Sequence, residues 1–181
     1  MALSWFPRET DFFATLEAIT EPLGSTPAAL AGGSTAGASA LDLLDRMVDE
    51  LDKTFVTPFD REDLFAVAAS LTEVRLAVDG LAAHTGRGEL GARESTLGAI
   101  HEACGGLDRM VKLLRSFAKH RDEAKALLAT LRRGPAEAEA RLRRDRSATP
   151  GDPATDDDLL RVLDRCGAAV RSLTVLFVKG A

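Results

Sequence analysis

The sequence predicts an all-α protein, an antiparallel bundle of about six helices, on three observations. Apolar residues recur at i, i+3, i+4 and i+7 in about six separate segments. Proline, glycine and small polar residues punctuate the joins between those segments. Nowhere do apolar and polar residues alternate with a period of two between hairpin turns, which excludes a sheet of any size. Short connections between amphipathic helices then imply up-and-down packing around one shared core.

The first helix is expected from Glu9 to about Glu21, before Pro22 and Gly24. Trp5, Phe6, Phe12 and Phe13 crowd this end of the chain, as packing for that helix or as an anchor for a partner. Residues 27–37 are small and aperiodic. A second helix follows from Ala38 to Lys53, with Leu41, Leu44, Val48 and Leu51 as its apolar stripe and Asp42, Asp45 and Asp49 on its acidic side.

Pro58 fixes its own φ and pushes Thr57 out of the α region, so this helix must end before them. Two caps compete to start the third: Thr57 with Pro58 at the first helical position, or Asp60 with Asp63 at the third. Either way Asp60, Glu62 and Asp63 gather at the positive end of the helix dipole. Leu64, Val67, Ala68, Leu71, Val74, Val78 and Leu81 form its stripe as far as His84, before Gly86 and Gly88.

A fourth helix is expected from Ala92 to Lys119 on Leu97, Ile100, Cys104, Leu107, Val111, Leu114 and Ala118. Gly105 and Gly106 either weaken it or let a neighbour approach closely. A fifth begins near Arg121 with Ala124, Leu127, Leu128 and Leu131, and should break or kink at Gly134 and Pro135. After a linker, Thr155 is read as the N-cap of the last helix with Asp158 at its third position; that helix buries Leu159, Leu163, Cys166, Val170, Leu173 and Phe177.

With 181 residues, 45% apolar and 28% charged, the chain has an ordinary globular composition and enough length for a sizeable core. A net charge of −5 argues against a general nucleic-acid binder. No apolar run reaches the roughly 20 residues a membrane span needs, and the N-terminus does not read as a secretory signal, so a cytoplasmic protein is expected. Cys104 and Cys166 read as buried, reduced thiols rather than a disulfide or half a zinc site. His84, His101 and His120 stand apart from any nucleophile, and no phosphate-loop, dinucleotide, nucleophile-elbow or zinc-protease motif occurs, so no catalysis is expected. The basic stretch Arg132, Arg133, Arg141, Arg143, Arg144 and Arg146 reads as a solvated helix face, as an attraction to an anionic membrane or an acidic loop, or as a nucleic-acid contact.

The stretch KTFVTPFDREDLFAVAASL, from Lys53 to Leu71, resembles the signature of the PhoU-like proteins, in their branch of phosphate transport regulators. Phe6, Pro7, Arg8, Phe12 and Phe13 near the start extend the likeness over nearly the whole chain, as do Asp164 and the closing Phe177, Val178 and Lys179. The resemblance implies one domain, 1–181, of two three-helix repeats, 1–88 and 89–181. It implies an accessory protein of inorganic phosphate uptake that docks on a Pit-type phosphate transporter and meets the membrane through that partner alone. Homo-oligomerisation stays open.

The family also carries paired acidic residues that hold metal clusters. Four-residue spacing puts both carboxylates on one helix face, and several such pairs need a cation to offset their repulsion. Here the corresponding positions hold Gly37 and Leu41 on the second helix, and Thr72 and Leu76 on the third, with Glu73 between them. Asp164 survives on the last helix, flanked by Leu160 and Ala168, and no carboxylate pair appears from Arg132 to Ala136. The resemblance thus implies a scaffold without cofactor or metal, in which Leu41 and Leu76 have closed into ordinary core. The partner-contacting residues are then Thr57, Pro58, Phe59, Asp60, Arg61, Glu62 and Asp63, which a purely structural cap and turn would equally explain. Arg61 is the foremost contact. The alternative is a phosphate or metal sensor with a relocated acidic site at Asp45, Asp49, Glu73 and Asp164.

Overall fold

The computed structural model describes residues 12–25, 39–54, 57, 59–85, 93–148 and 152–180. Among them are six helices and no strand: α1 (Phe12–Gly24), α2 (Ala40–Lys53), α3 (Arg61–Thr85), α4 (Glu94–Leu114), α5 (Arg121–Ala148) and α6 (Pro153–Lys179). The most extensive helix pair is α3 with α6; α1 lies on α4, α5 on both α4 and α6, and α2 on α3 and α1. One continuous core joins all six, with Leu16, Leu71, Leu107, Leu142 and Leu173 fully buried in it. No helix among the described residues is long and apolar enough to cross a membrane.

Local chemistry explains most of the boundaries. The Ser39 hydroxyl accepts the Asp42 amide at 3.1 Å and starts α2. At α3 the second of the two competing caps operates: the Asp60 carboxylate accepts the Glu62 amide at 3.0 Å. For α6 the expectation is corrected. Asp152, not Thr155, is the N-cap, with Pro153 in the first turn, and the Thr155 amide and hydroxyl both donate to Asp152 Oδ2 at 2.9 and 2.8 Å.

Three further expectations change. Helix α1 runs through Pro22 to Gly24. Helix α4 stops at Leu114, and the chain turns over residues 115–119 with Ser116 and Phe117 amides donating to Leu113 and Leu114 carbonyls. Gly134 and Pro135 do not break α5, which spans both. Pro135 lies against α6, and Leu128, Leu131, Ala138 and Leu142 are buried on both sides of it. That burial offsets the roughly 3 kcal/mol cost of an interior proline. Gly106 serves the close approach of helices: a Cβ there would collide with the Leu131 side chain of α5.

Helix α2 is rotated relative to its expected stripe. It buries Ala40, Leu43, Met47 and Leu51, whereas Leu41 is 55% exposed and Val48 37%. On α3 the expected stripe is buried, yet Leu76 is 44% exposed. Leu41 and Leu76 therefore do not close into the core. On α2 the side that meets α1 and the core carries Leu43, Met47 and Leu51, with Glu50 beside them accepting a 2.8 Å hydrogen bond from Thr15 of α1, and Leu41 and Val48 are left on the other side.

Candidate functional site

The stretch between α2 and α3 is tied down at both ends. Thr57 Oγ1 donates to the Phe59 carbonyl at 2.5 Å, and the Arg61 guanidinium reaches back to the Thr54 carbonyl beyond the last turn of α2. Asp63 is buried, and its Oδ1 accepts a 2.9 Å hydrogen bond from Lys179 Nζ, which also lies 2.8 Å from Oδ2 as an ion pair. Asp60 and Glu62 are exposed. Pro58 lies outside the described residues, as do Trp5, Phe6, Pro7, Arg8 and Gly37.

Phe59 anchors this end of the bundle. Four phenylalanines stand edge to face in a string: Phe13 of α1 to Phe59 at 6.4 Å between ring centres, Phe59 to Phe117 at 5.8 Å, and Phe117 to Phe177 of α6 at 5.1 Å. A side chain at Gly180 would strike the Phe59 ring. The string explains why α4 ends early, since the turn at 115–119 brings Phe117 inward. Three stretches distant in sequence thus meet at one end: Phe13, the run from Phe59 to Asp63 and, more than a hundred residues further on, Phe177 with Lys179. Periodicity alone could not show this, because three of the four rings sit at or beyond helix ends.

The alternative acidic set does not assemble. Among the described residues no three of His, Cys, Asp and Glu gather as a metal site. Asp49 pairs with Lys53 at 3.5 Å and Glu73 with Arg165 at 2.9 Å. Asp45 is exposed on α2, and Asp164 lines a cleft of about 440 Å³ between α5 and α6 together with Leu131, Arg132, Pro135 and Arg171. The basic stretch of α5 is solvated. Arg143 pairs with Glu139 and Arg146 with Asp157, both at 2.7 Å, and Arg141 donates to Ser95 at 3.0 Å.

Two polar clusters that the sequence reading missed lie in the interior. Asp108, on the buried side of α4, accepts from Thr20 of α1 at 3.1 Å and from Lys112 at 2.7 Å. Arg93, just ahead of α4, makes a bidentate pair with Asp156 in the first turn of α6, at 2.8 and 3.0 Å, with both side chains buried. Asp156 falls three residues before Leu159, and Asp108 four after Cys104 and three before Val111, so each acid sits on an apolar stripe. That misplacement was the available signal.

Cys104 and Cys166 are not disulfide-bonded and are fully buried, and they meet across the α4–α6 contact. Hydrogen bonding to Cys104, then burial, push the Cys166 thiol well above its ordinary 9.0. The hydrogen bonds to Asp108 and Asp63 likewise raise Lys112 and Lys179 above 10.5. A group whose folded pKa is raised contributes stability that is complete below its unfolded value and lost as pH climbs toward its folded one. Thermal stability should therefore decline from pH 9.0, through Cys166, and further from 10.5, through the two lysines. The chain has no tyrosine to add a phenol titration. Melting scans of wild type and Cys166→Ala check this: the variant should lose the decline between the two values, and an unchanged profile would remove the thiol from the account.

The chain matches no protein-family model, and a search of the curated proteins finds none significantly similar to it.

Proposed function

We propose that this protein is a non-catalytic accessory subunit of inorganic phosphate transport, which docks on a Pit-type phosphate transporter from the cytoplasmic side. The reading starts from the resemblance of the Lys53 to Leu71 stretch. One observation carries it further: residues of all three resembling segments converge on one end of the bundle, joined by the phenylalanine string and the Asp63–Lys179 pair. That end presents Asp60, Arg61 and Glu62 to solvent on a firmly held helix start. A rigid face of this kind can regulate a transporter by binding one of its conformations more tightly than another.

Within this reading Phe59 and Asp63 hold the end together, and Glu62 and Arg61 meet the partner. Detergent-solubilised Pit-type transporter should co-purify with the immobilised chain. Glu62→Lys should lower its yield several-fold while costing the fold no more than the roughly 1 kcal/mol of a favourable first-turn charge, read from the urea midpoint. If the transporter is not retained, and phosphate uptake is the same in cells with and without the chain, the reading fails.

A further inference from the structure

We propose that the outward groove between α2 and α3 is a docking site for a basic amphipathic helix of a partner protein. Leu41, Leu44 and Val48 follow one flank of α2 at spacings of three and four, and Phe65, Thr72 and Leu76 follow one flank of α3 at spacings of seven and four. With α2 packed on α3, those flanks border the seam between the two helices. Helix α1 holds the other side of α2 through Thr15 and Glu50, and α6 holds the other side of α3 through Lys179 and Asp63. In an antiparallel hairpin turning near Thr57, Val48 falls opposite Phe65, and Leu41 lies toward Leu76 at the far end.

The groove is apolar and open. Leu41, Val48, Phe65 and Leu76 are 55, 37, 42 and 44% exposed, four of the six large apolar side chains that stand out to solvent among the described residues. Between them the Thr72 hydroxyl is buried with no hydrogen-bond partner among the described residues. Apolar side chains clustered on a soluble surface mark an interaction site, and a groove between two helices accepts a third through anchors at i, i+3 or i+4, and i+7.

Charge selects the occupant. Asp45 and Asp52 on α2, and Glu62 and Asp79 on α3, are exposed beside the groove, and no ion pair is formed by any of them among the described residues. Arg61 at this margin is turned to the Thr54 carbonyl, and Arg75, next to Leu76, is buried. An acidic rim repels an anionic membrane. A second copy would set the same carboxylates against one another across a two-fold axis. A helix with an apolar stripe and flanking Lys or Arg satisfies both the groove and its rim. The proposal deepens the docking reading above, yet needs only a helical partner and not the phosphate setting.

The probe is a fluorescein-labelled 18-residue leucine–lysine peptide with leucines on one helical face, titrated into the full chain and read by anisotropy. A scrambled peptide of the same composition and a leucine–glutamate counterpart serve as controls. The amphipathic basic peptide should bind, and both controls should bind at least tenfold more weakly. The double variant Leu41→Ser, Leu76→Ser should weaken binding at least tenfold, while Val178→Ser on α6 should change it less than twofold.

Equal binding of the scrambled peptide, or insensitivity to the double variant, would overturn the proposal. So would a wild-type dimer in light scattering that the double variant abolishes, or phosphatidylglycerol-vesicle binding lost in the same variant, since the occupant would then be a second copy or a membrane. Peptide binding without transporter retention would sink the phosphate reading and leave the groove standing. Transporter retention without peptide binding would do the reverse.

Discussion

Asp156→Ala is expected to destabilise the fold by about 3–5 kcal/mol, because it leaves the Arg93 guanidinium in the interior without its anion. Asp156 accepts both forks of that guanidinium at 2.8 and 3.0 Å. Arg146, 4.0 Å from the same carboxylate, is 40% exposed and loses far less when the acid is removed. The carboxylate also sits in the first turn of α6, where the helix dipole favours it. Removing both partners is a different experiment. Arg93→Met with Asp156→Leu should restore most of the loss, since a buried ion pair gains little over well-packed apolar residues once desolvation is counted. Urea denaturation of the two singles and the double closes the cycle. A single-variant loss below about 1 kcal/mol would mean that water reaches the pair and relieves the charge.

How much of this was legible beforehand depends on how many residues repeat a signal. Long stripes such as Leu64 to Leu81 repeat the helical period over five turns, and all are buried. Helix α2 is short, and its apolar residues fit two rows: Leu41, Leu44, Val48 and Leu51, or Ala40, Leu43, Met47 and Leu51. One residue of offset rotates a helix by about 100°, so contact with α1 had to decide. At Pro135 the local cost of a few kcal/mol is visible in the sequence, whereas the burial on either side that offsets it is not. The candidate site was legible as a stretch and not as a place. The cap at Asp60 follows from local spacing, whereas the meeting of Phe59 with Phe117, and of Asp63 with Lys179, joins residues 58 and 116 positions apart. Nothing periodic records contacts of that kind.

Leu71 and Leu76 lie five residues apart on α3 and separate core from groove most sharply. Leu71 is wholly buried, so Leu71→Ala removes its transfer free energy and leaves a cavity that its neighbours fill only in part. A loss of about 2–5 kcal/mol is expected. Leu76→Ala should stay within about 0.5 kcal/mol of wild type, because a side chain 44% exposed gives up little burial. If Leu76 occupied a core position, the two costs would be similar. Chemical denaturation of both variants tests this, and a loss above about 2 kcal/mol at Leu76 would show that the groove is filled from within the chain. A near-neutral result leaves an apolar row kept on the surface without return in stability, and a row of that kind is accounted for by what it binds.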